Sequence, residues 1–381
     1  MLRRGLLGLA ILAFGSAALL EADEIIIKGK EKDPPLKGKI AKESPKEITL
    51  TTKTSVAAED IVDIVYEIKS ATGDSAVGTN IPYQAAAKSE KDSLDPTKEA
   101  DRKKNLAAAI AKYEEARDVK ANIDPTHKRH IEYKILMLRI RQMNEDGATD
   151  DKMIAKLTDF AKKNGTGWQI ANVYQTLGRM QADAGQLDGA EDSYLKLSKI
   201  PGLSDESRHE ATLLAIQAKI QGGKFDDARS DIAALQGDLP KGSRFLARAQ
   251  VAEAECLVAE SKKLGKEDAK RAKLFTQAVD LVKGVIKESG DKYVKAVGHN
   301  TLGYVYVEQG QLDEGKWEFL WVELVYNQDR VQHAKALYHL WDIFTKLGDA
   351  PKAQDCRESL LQPQFAGTEY QRLVQKEAKA P

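Results

Sequence analysis

Hydrophobic and polar residues follow two different periods along this chain. Over residues 23–68 they alternate in short runs: Glu24-Ile25-Ile26-Ile27-Lys28, Leu36-Lys37-Gly38-Lys39-Ile40, Glu47-Ile48-Thr49-Leu50-Thr51 and Ile61 to Ile68. A period of two is what half-buried strands require. Turn residues at Asp33-Pro34-Pro35 and Ser44-Pro45-Lys46 part the runs, so four or five short strands forming a small all-β domain are predicted. Residues 69–82 turn to Ser, Gly, Thr and Asn and read as a linker. Beyond them the period becomes 3.6. Leu106, Ile110, Tyr113 and Ala116 share one face of a helix over 98–118, and Ile131, Ile135, Leu138 and Ile140 share one over 128–143. Helical patterning continues to about residue 361, leaving 362–381 as a C-terminal tail.

The helical part repeats itself. Thr176-Leu177-Gly178 with Gly185-Gln186-Leu187-Asp188 returns as Thr301-Leu302-Gly303 with Gly310-Gln311-Leu312-Asp313, so both words are displaced by 125 residues. Gly223 follows Gly185 by 38 residues, Gly348 follows Gly310 by the same interval, and Gly265 marks a longer repeat between them. These residues resemble the tetratricopeptide repeat: a Leu-Gly pair on the first helix, a turn Gly, then a small residue followed four later by an aromatic on the second. Leu177, Gly178, Gly185, Ala190 and Tyr194 fit that order. Leu302, Gly303, Gly310, Gly315 and Phe319 fit it with Gly for Ala, while Gly223, Ala228 and Ile232, and Gly348 with Ala353, fit it less fully. Asp188 and Glu191 are placed to form a capping box on the second helix.

The resemblance implies a mainly α fold: an α-solenoid of helix-turn-helix, tetratricopeptide-like repeats over 166–361, preceded by divergent helical repeats over 83–165. The 38-residue period exceeds the usual 34, which keeps another α-solenoid of paired helices open. The strand-rich segment resembles a small SH3-like or Sm-like barrel. If the family's geometry transfers, Asn172, Gln175, Arg179, Asp183, Gln217, Gln221, Asn300, Tyr304, Lys335, Tyr338 and Asp342 line a partner-binding groove. Their mixed polarity suits an extended peptide.

The N-terminus adds a compartment. Arg3 and Arg4 precede an uncharged apolar run from Gly5 to Leu20 with Ser16, Ala17 and Ala18 near its end, the pattern of a secretory signal peptide over 1–22. Cleavage after Ala18 or after Ala22 both fit, and the run is short for the roughly 20 residues of a spanning helix. Membrane contact is expected only through this segment, if uncleaved. An exported, periplasmic or cell-envelope location follows as the expectation. Lys plus Arg equals Asp plus Glu at 58 each, so no bulk charge draws the chain to nucleic acid. Cys256 and Cys356 lie too far apart in a repeat array to bridge readily and read as buried thiols.

No catalytic motif is complete in the sequence. The string from Gly310 to Lys316 approximates a phosphate-binding loop, but Trp317 replaces the Ser or Thr that would hold Mg²⁺, and the string lies between helices. His127 and His130 share a helix face without further ligands, so a solvated basic helix start is expected and no metal or cofactor. Trp317, Leu320, Trp321 and Leu324 fall at i, i+3, i+4 and i+7, favouring a face packed in the core over an exposed hot spot. The sequence therefore predicts a non-catalytic scaffold that binds a protein or peptide. The alternatives are a self-associating assembly subunit, or a binder of cell-wall polysaccharide through the C-terminal aromatics.

Overall fold

The computed structural model describes residues 22–70, 78–79, 81–118, 123–146 and 151–377. The expected leader therefore lies outside the described residues, apart from Ala22. The chain divides into two compact units, residues 1–177 with 200–203, and residues 178–199 with 204–381.

In the first unit there are six strands, with the run over 36–40 divided between β2 and β3 and β5 lying outside the four alternating runs: β1 Asp23–Ile27, β2 Leu36–Gly38, β3 Ile40–Glu43, β4 Glu47–Leu50, β5 Ser55–Ala57 and β6 Ile61–Val65. They form two three-stranded antiparallel sheets, ordered β2-β1-β6 and β3-β4-β5. The apolar positions Ile25, Ile48, Leu50 and Ile64 point inward and are fully buried. The Asp23 carboxylate ties the two sheets, accepting from the backbone N–H of Ile40 at 2.8 Å and of Glu67 at 2.8 Å.

The expected linker carries some structure of its own: β7 Lys69–Ser70 pairs with β8 Gly78–Thr79, and the first helix starts directly after them. Four helices follow, α1 Ile81–Leu94, α2 Arg102–Asp118, α3 Pro125–Glu145 and α4 Asp151–Lys163. Both predicted apolar faces are buried. Asp124 caps α3 by accepting from the Thr126 N–H, with Pro125 at the first helical position where its missing N–H costs nothing.

Helix α5, Ile170–Asp183, runs from the first unit into the second. After it come α6 Leu187–Ser198, α7 Asp205–Gln221, α8 Phe225–Asp238, α9 Arg244–Lys262, α10 Ala269–Glu288, α11 Lys292–Glu308, α12 Leu312–Leu324, α13 Arg330–Lys346 and α14 Ala350–Leu360. These are five helix pairs. Gly185, Gly223, Gly310 and Gly348 close four of the turns with φ between 74° and 78°, a conformation that glycine adopts without strain. The α9/α10 connection lacks such a glycine and is longer, as the position of Gly265 suggested.

Two expectations are corrected here. Residues 362–381 are not a plain tail: Pro363–Phe365 form a 3₁₀ turn and Glu369–Glu377 a last helix, α15. Phe365 and Val374 are buried with Ala334, Leu337 and Leu360, so apolar spacing too short to read as a helix still has a face to bury. Asp188 and Glu191 form no capping box. The α6 N-cap is Gln186 without a side-chain bond, and both carboxylates instead hold the Lys224 ammonium at 2.6 and 2.8 Å.

Candidate binding surface

Close approach of the paired helices decides which side chains face inward. A Cβ on Gly178 would lie 2.6 Å from the Tyr194 ring, and one on Gly303 would lie 2.9 Å from the Phe319 ring. In both pairs the first helix offers a bare backbone and the second fills it with an aromatic four residues after its small position. The second unit is a tetratricopeptide-like array. No family model matches the sequence, and no curated protein matches it. Among solved structures, the chain is similar to a tetratricopeptide repeat protein of Parabacteroides merdae (14% identity, 77% of this chain and 99% of that one, TM-score 0.48). It is also similar to a thermophilic tetratricopeptide protein of Thermus thermophilus (17%, 55% and 97%, TM-score 0.41) and to the type IV pilus biogenesis factor PilW (15%, 65% and 98%, TM-score 0.35).

Within the array the first helices α7, α9, α11 and α13 touch in succession. Arg372 of α15 meets Asp183 at the end of α5 at 2.8 Å, so this unit curls until its last helix reaches its first. On the inner side, polar and aromatic residues stand seven apart on three helices, Glu210 and Gln217 on α7, Arg248, Glu255 and Lys262 on α9, and Lys335 and Asp342 on α13, with Tyr293 on α11 beside them. Seven residues are two helical turns, so each set lies on one face. The Arg248 guanidinium is held by both oxygens of Glu210 and lies 4.8 Å from the centroid of the Tyr293 ring. Lys335 sits 3.7 Å from Glu255. Burial opposes its charge, but Tyr370, Glu255, Glu369 and Tyr293 together hold it above the usual lysine value. Burial pulls Lys262 below that value, where its ammonium lies 3.9 Å over the Tyr304 ring. Burial, helped by Lys335, Lys262 and Lys346, pushes His339 down to about 3, so it is neutral at physiological pH.

The nominated residues divide by environment. Gln217 lines a small hollow of about 20 Å³ with Leu213, Arg248, Val251, Glu255 and Tyr293. Tyr304 is half-buried and donates to Glu308 at 2.8 Å. Tyr338 is covered by Tyr370 of α15, with ring centroids 5.7 Å apart. Asp342 accepts from Lys346, Asp183 is paired with Arg372, and Arg179 and Gln221 are exposed. Asn172 and Gln175 are exposed on the part of α5 that belongs to the first unit. Asn300 does not line the surface: it is fully buried, and its amide donates to the backbone and side-chain oxygens of Gln332, both at 3.0 Å, joining α11 to α13. Sequence reasoning missed Arg248, Glu255 and Lys262 because their pair lacks the signature glycine on which the others were aligned. Their seven-residue spacing was the available signal.

The first unit holds a cavity of about 350 Å³, lined by Lys39, Glu43, Tyr66, His127, Arg129 and neighbouring residues. Glu43 accepts from Tyr66 and pairs with Arg129. Burial keeps its carboxyl above the usual range despite those partners, and burial lowers His127 despite Asp124, Asp23 and Glu67. The Glu43 carboxylate is thus already engaged by this chain's own side chains. His130 corrects the expectation of a solvated helix start. It is fully buried among Tyr66, Tyr83, Tyr133 and Trp168, because the face it shares with Ile131 and Lys134 packs inward. Lys134 is buried too, 2.7 Å from both Asp63 and Glu90, while Tyr113 donates to Glu90 at 2.8 Å. Among the described residues no group of three His, Cys, Asp or Glu side chains comes together as metal ligands would.

The aromatic face of α12 is also corrected. Phe319 is buried and Leu320 partly so, but Trp317, Trp321 and Leu324 are 63%, 49% and 71% exposed. The core is served by the opposite side of α12, through Phe319 and Val322. Cys256 and Cys356 are free thiols, the first buried and the second half-buried, and burial raises them to about 11 and about 12.

Proposed function

We propose that this chain is an exported, non-catalytic scaffold that holds a protein or peptide along the inner face of its tetratricopeptide-like array. One observation carries the reading: polar side chains repeat every seven residues on α7 and α9 and, with Tyr293 of α11, present Gln217, Arg248 and Glu255 around an apolar floor of Leu213, Val251 and Val294. Such a row matches an extended chain, whose backbone and side chains offer hydrogen-bond partners at regular intervals. A hollow of about 20 Å³ admits the tip of one side chain and is far below the several hundred Å³ of a small-molecule pocket. The helix α15 covers the α13 end through Tyr370, which directs the partner to the α7–α11 stretch. Export to the periplasm or envelope rests on Arg3, Arg4 and the apolar run after them.

Panning a random peptide library on the purified chain tests the reading. Enriched peptides should bind in the micromolar range, and Arg248→Ala and Tyr293→Ala should each weaken them at least tenfold. Peptides that bind both variants as tightly as the parent would refute this placement.

A further inference from the structure

The outer face of α12 exposes a stripe that neither the core nor the inner surface uses. Trp317, Trp321 and Leu324 fall at i, i+4 and i+7, and Val325, 40% exposed, extends them. The stripe is braced from behind. Trp321 stacks on His299, with ring centroids 5.9 Å apart, His299 stacks on Tyr326 at 5.3 Å, and Glu318 fixes the imidazole Nδ1 at 2.7 Å. A large indole held still in water, as Trp321 is, loses little freedom when covered, and monomeric proteins rarely expose such a contiguous apolar face.

Charge differs between the ends of the stripe. Before Trp317 stand Asp313 and Glu314, the first paired with Lys316 at 2.6 Å and the second open to solvent. After Val325 come Asn327, Gln328 and Asp329, whose carboxylate is taken up in capping α13 by accepting from the N–H groups of Val331 and Gln332, and then Arg330, exposed at the start of α13 with a 3.4 Å bond to the Ala366 carbonyl. A stripe acidic at one end and basic at the other is complementary to itself when turned through 180°. We propose that this face docks a second copy of the chain, with the two α12 helices antiparallel. Trp317 of each copy packs on Leu324 of the other, Trp321 lies near the two-fold axis, and Asp313 and Glu314 face Arg330 across it. This is an isologous contact, which closes at two copies. The aliphatic members Leu324 and Val325 favour a helix over a saccharide, which would stack on the indoles alone. The area involved is on the order of 1,000 Å² over both copies, the low end for specific association, so a micromolar dimer is expected.

Sedimentation velocity of the chain without its leader, from 1 to 200 µM, reads this directly. A monomer–dimer equilibrium is expected, with Trp317→Ser and Trp321→Ser each raising the dissociation constant at least tenfold while circular dichroism stays unchanged. The register has its own test. The double variant Asp313→Arg with Glu314→Arg, and the single variant Arg330→Glu, should each be monomeric alone and should dimerise when mixed. A parent chain that remains monomeric at 200 µM, or dimers indifferent to both Trp substitutions, would overturn the proposal. So would a monomeric parent that binds isolated wall polysaccharide through the same two tryptophans. Failure of the mixed charge variants to pair would overturn the antiparallel arrangement.

Discussion

Glycines at 178 and 303 are set by contact. Because a Cβ on Gly303 would fall 2.9 Å from the fully buried Phe319 ring, Gly303→Val should destabilise the chain by about 1–3 kcal/mol through overpacking. Gly284 in α10 has nothing within 4 Å of an added Cβ, so Gly284→Ala should be neutral or stabilise by about 0.4–1 kcal/mol. Denaturant titration of the pair separates contact from helix propensity. In the first unit, Lys134→Met would leave Asp63 and Glu90 facing each other without their shared cation, at a cost of about 3–5 kcal/mol. Adding Asp63→Asn and Glu90→Gln should recover part of it. His130 has a pH signature. Burial, with Lys134, His127 and Arg129 adding to it, holds its folded pKa well below the usual value, so the unfolded chain binds the proton first. Its contribution is therefore present above about pH 6.5 and is lost as pH falls below that, by up to about 1.4 kcal/mol per pH unit. His130→Leu should flatten the fall in melting temperature between pH 7 and 5.5, and an unchanged slope would show that His130 is not the group responsible.

At the scale of elements, α15 is a capping helix whose removal has a definite cost. Phe365→Ala should destabilise the second unit by about 3–5 kcal/mol, and truncation after Leu361 should expose Leu337 and Leu360 and raise binding of a hydrophobic dye. The strands, the helix faces around Leu106 and Ile131, and the four turn glycines were legible in the sequence, because a hydrophobic period and a positive φ each leave a local mark. What was not legible depended on what lies opposite. Trp317 and Phe319 are two residues apart on one helix, and only the packing of α11 and α13 decides that Phe319 enters the core while Trp317 does not. His130 read as part of a solvated helix start and Lys134 left no mark, because their partners Tyr66, Asp63 and Glu90 come from distant parts of the chain. Arg248, Glu255 and Lys262 were passed over because their repeat lacks the glycine that gave the others a register.

Across the whole molecule, the central claim is that binding takes place on the inner side of α7, α9 and α11. Its most direct test is site-specific photo-crosslinking in the native host, with a photoreactive residue at Gln217, Glu255 or Tyr293 and, as the contrast, at Gly237 or Gly284 away from that face. The account predicts a discrete protein or peptide adduct from the three inner positions, lost when Arg248→Ala is added, and none from the two outer ones. Adducts that arise only from the outer positions, or inner adducts that persist with Arg248→Ala, would contradict it.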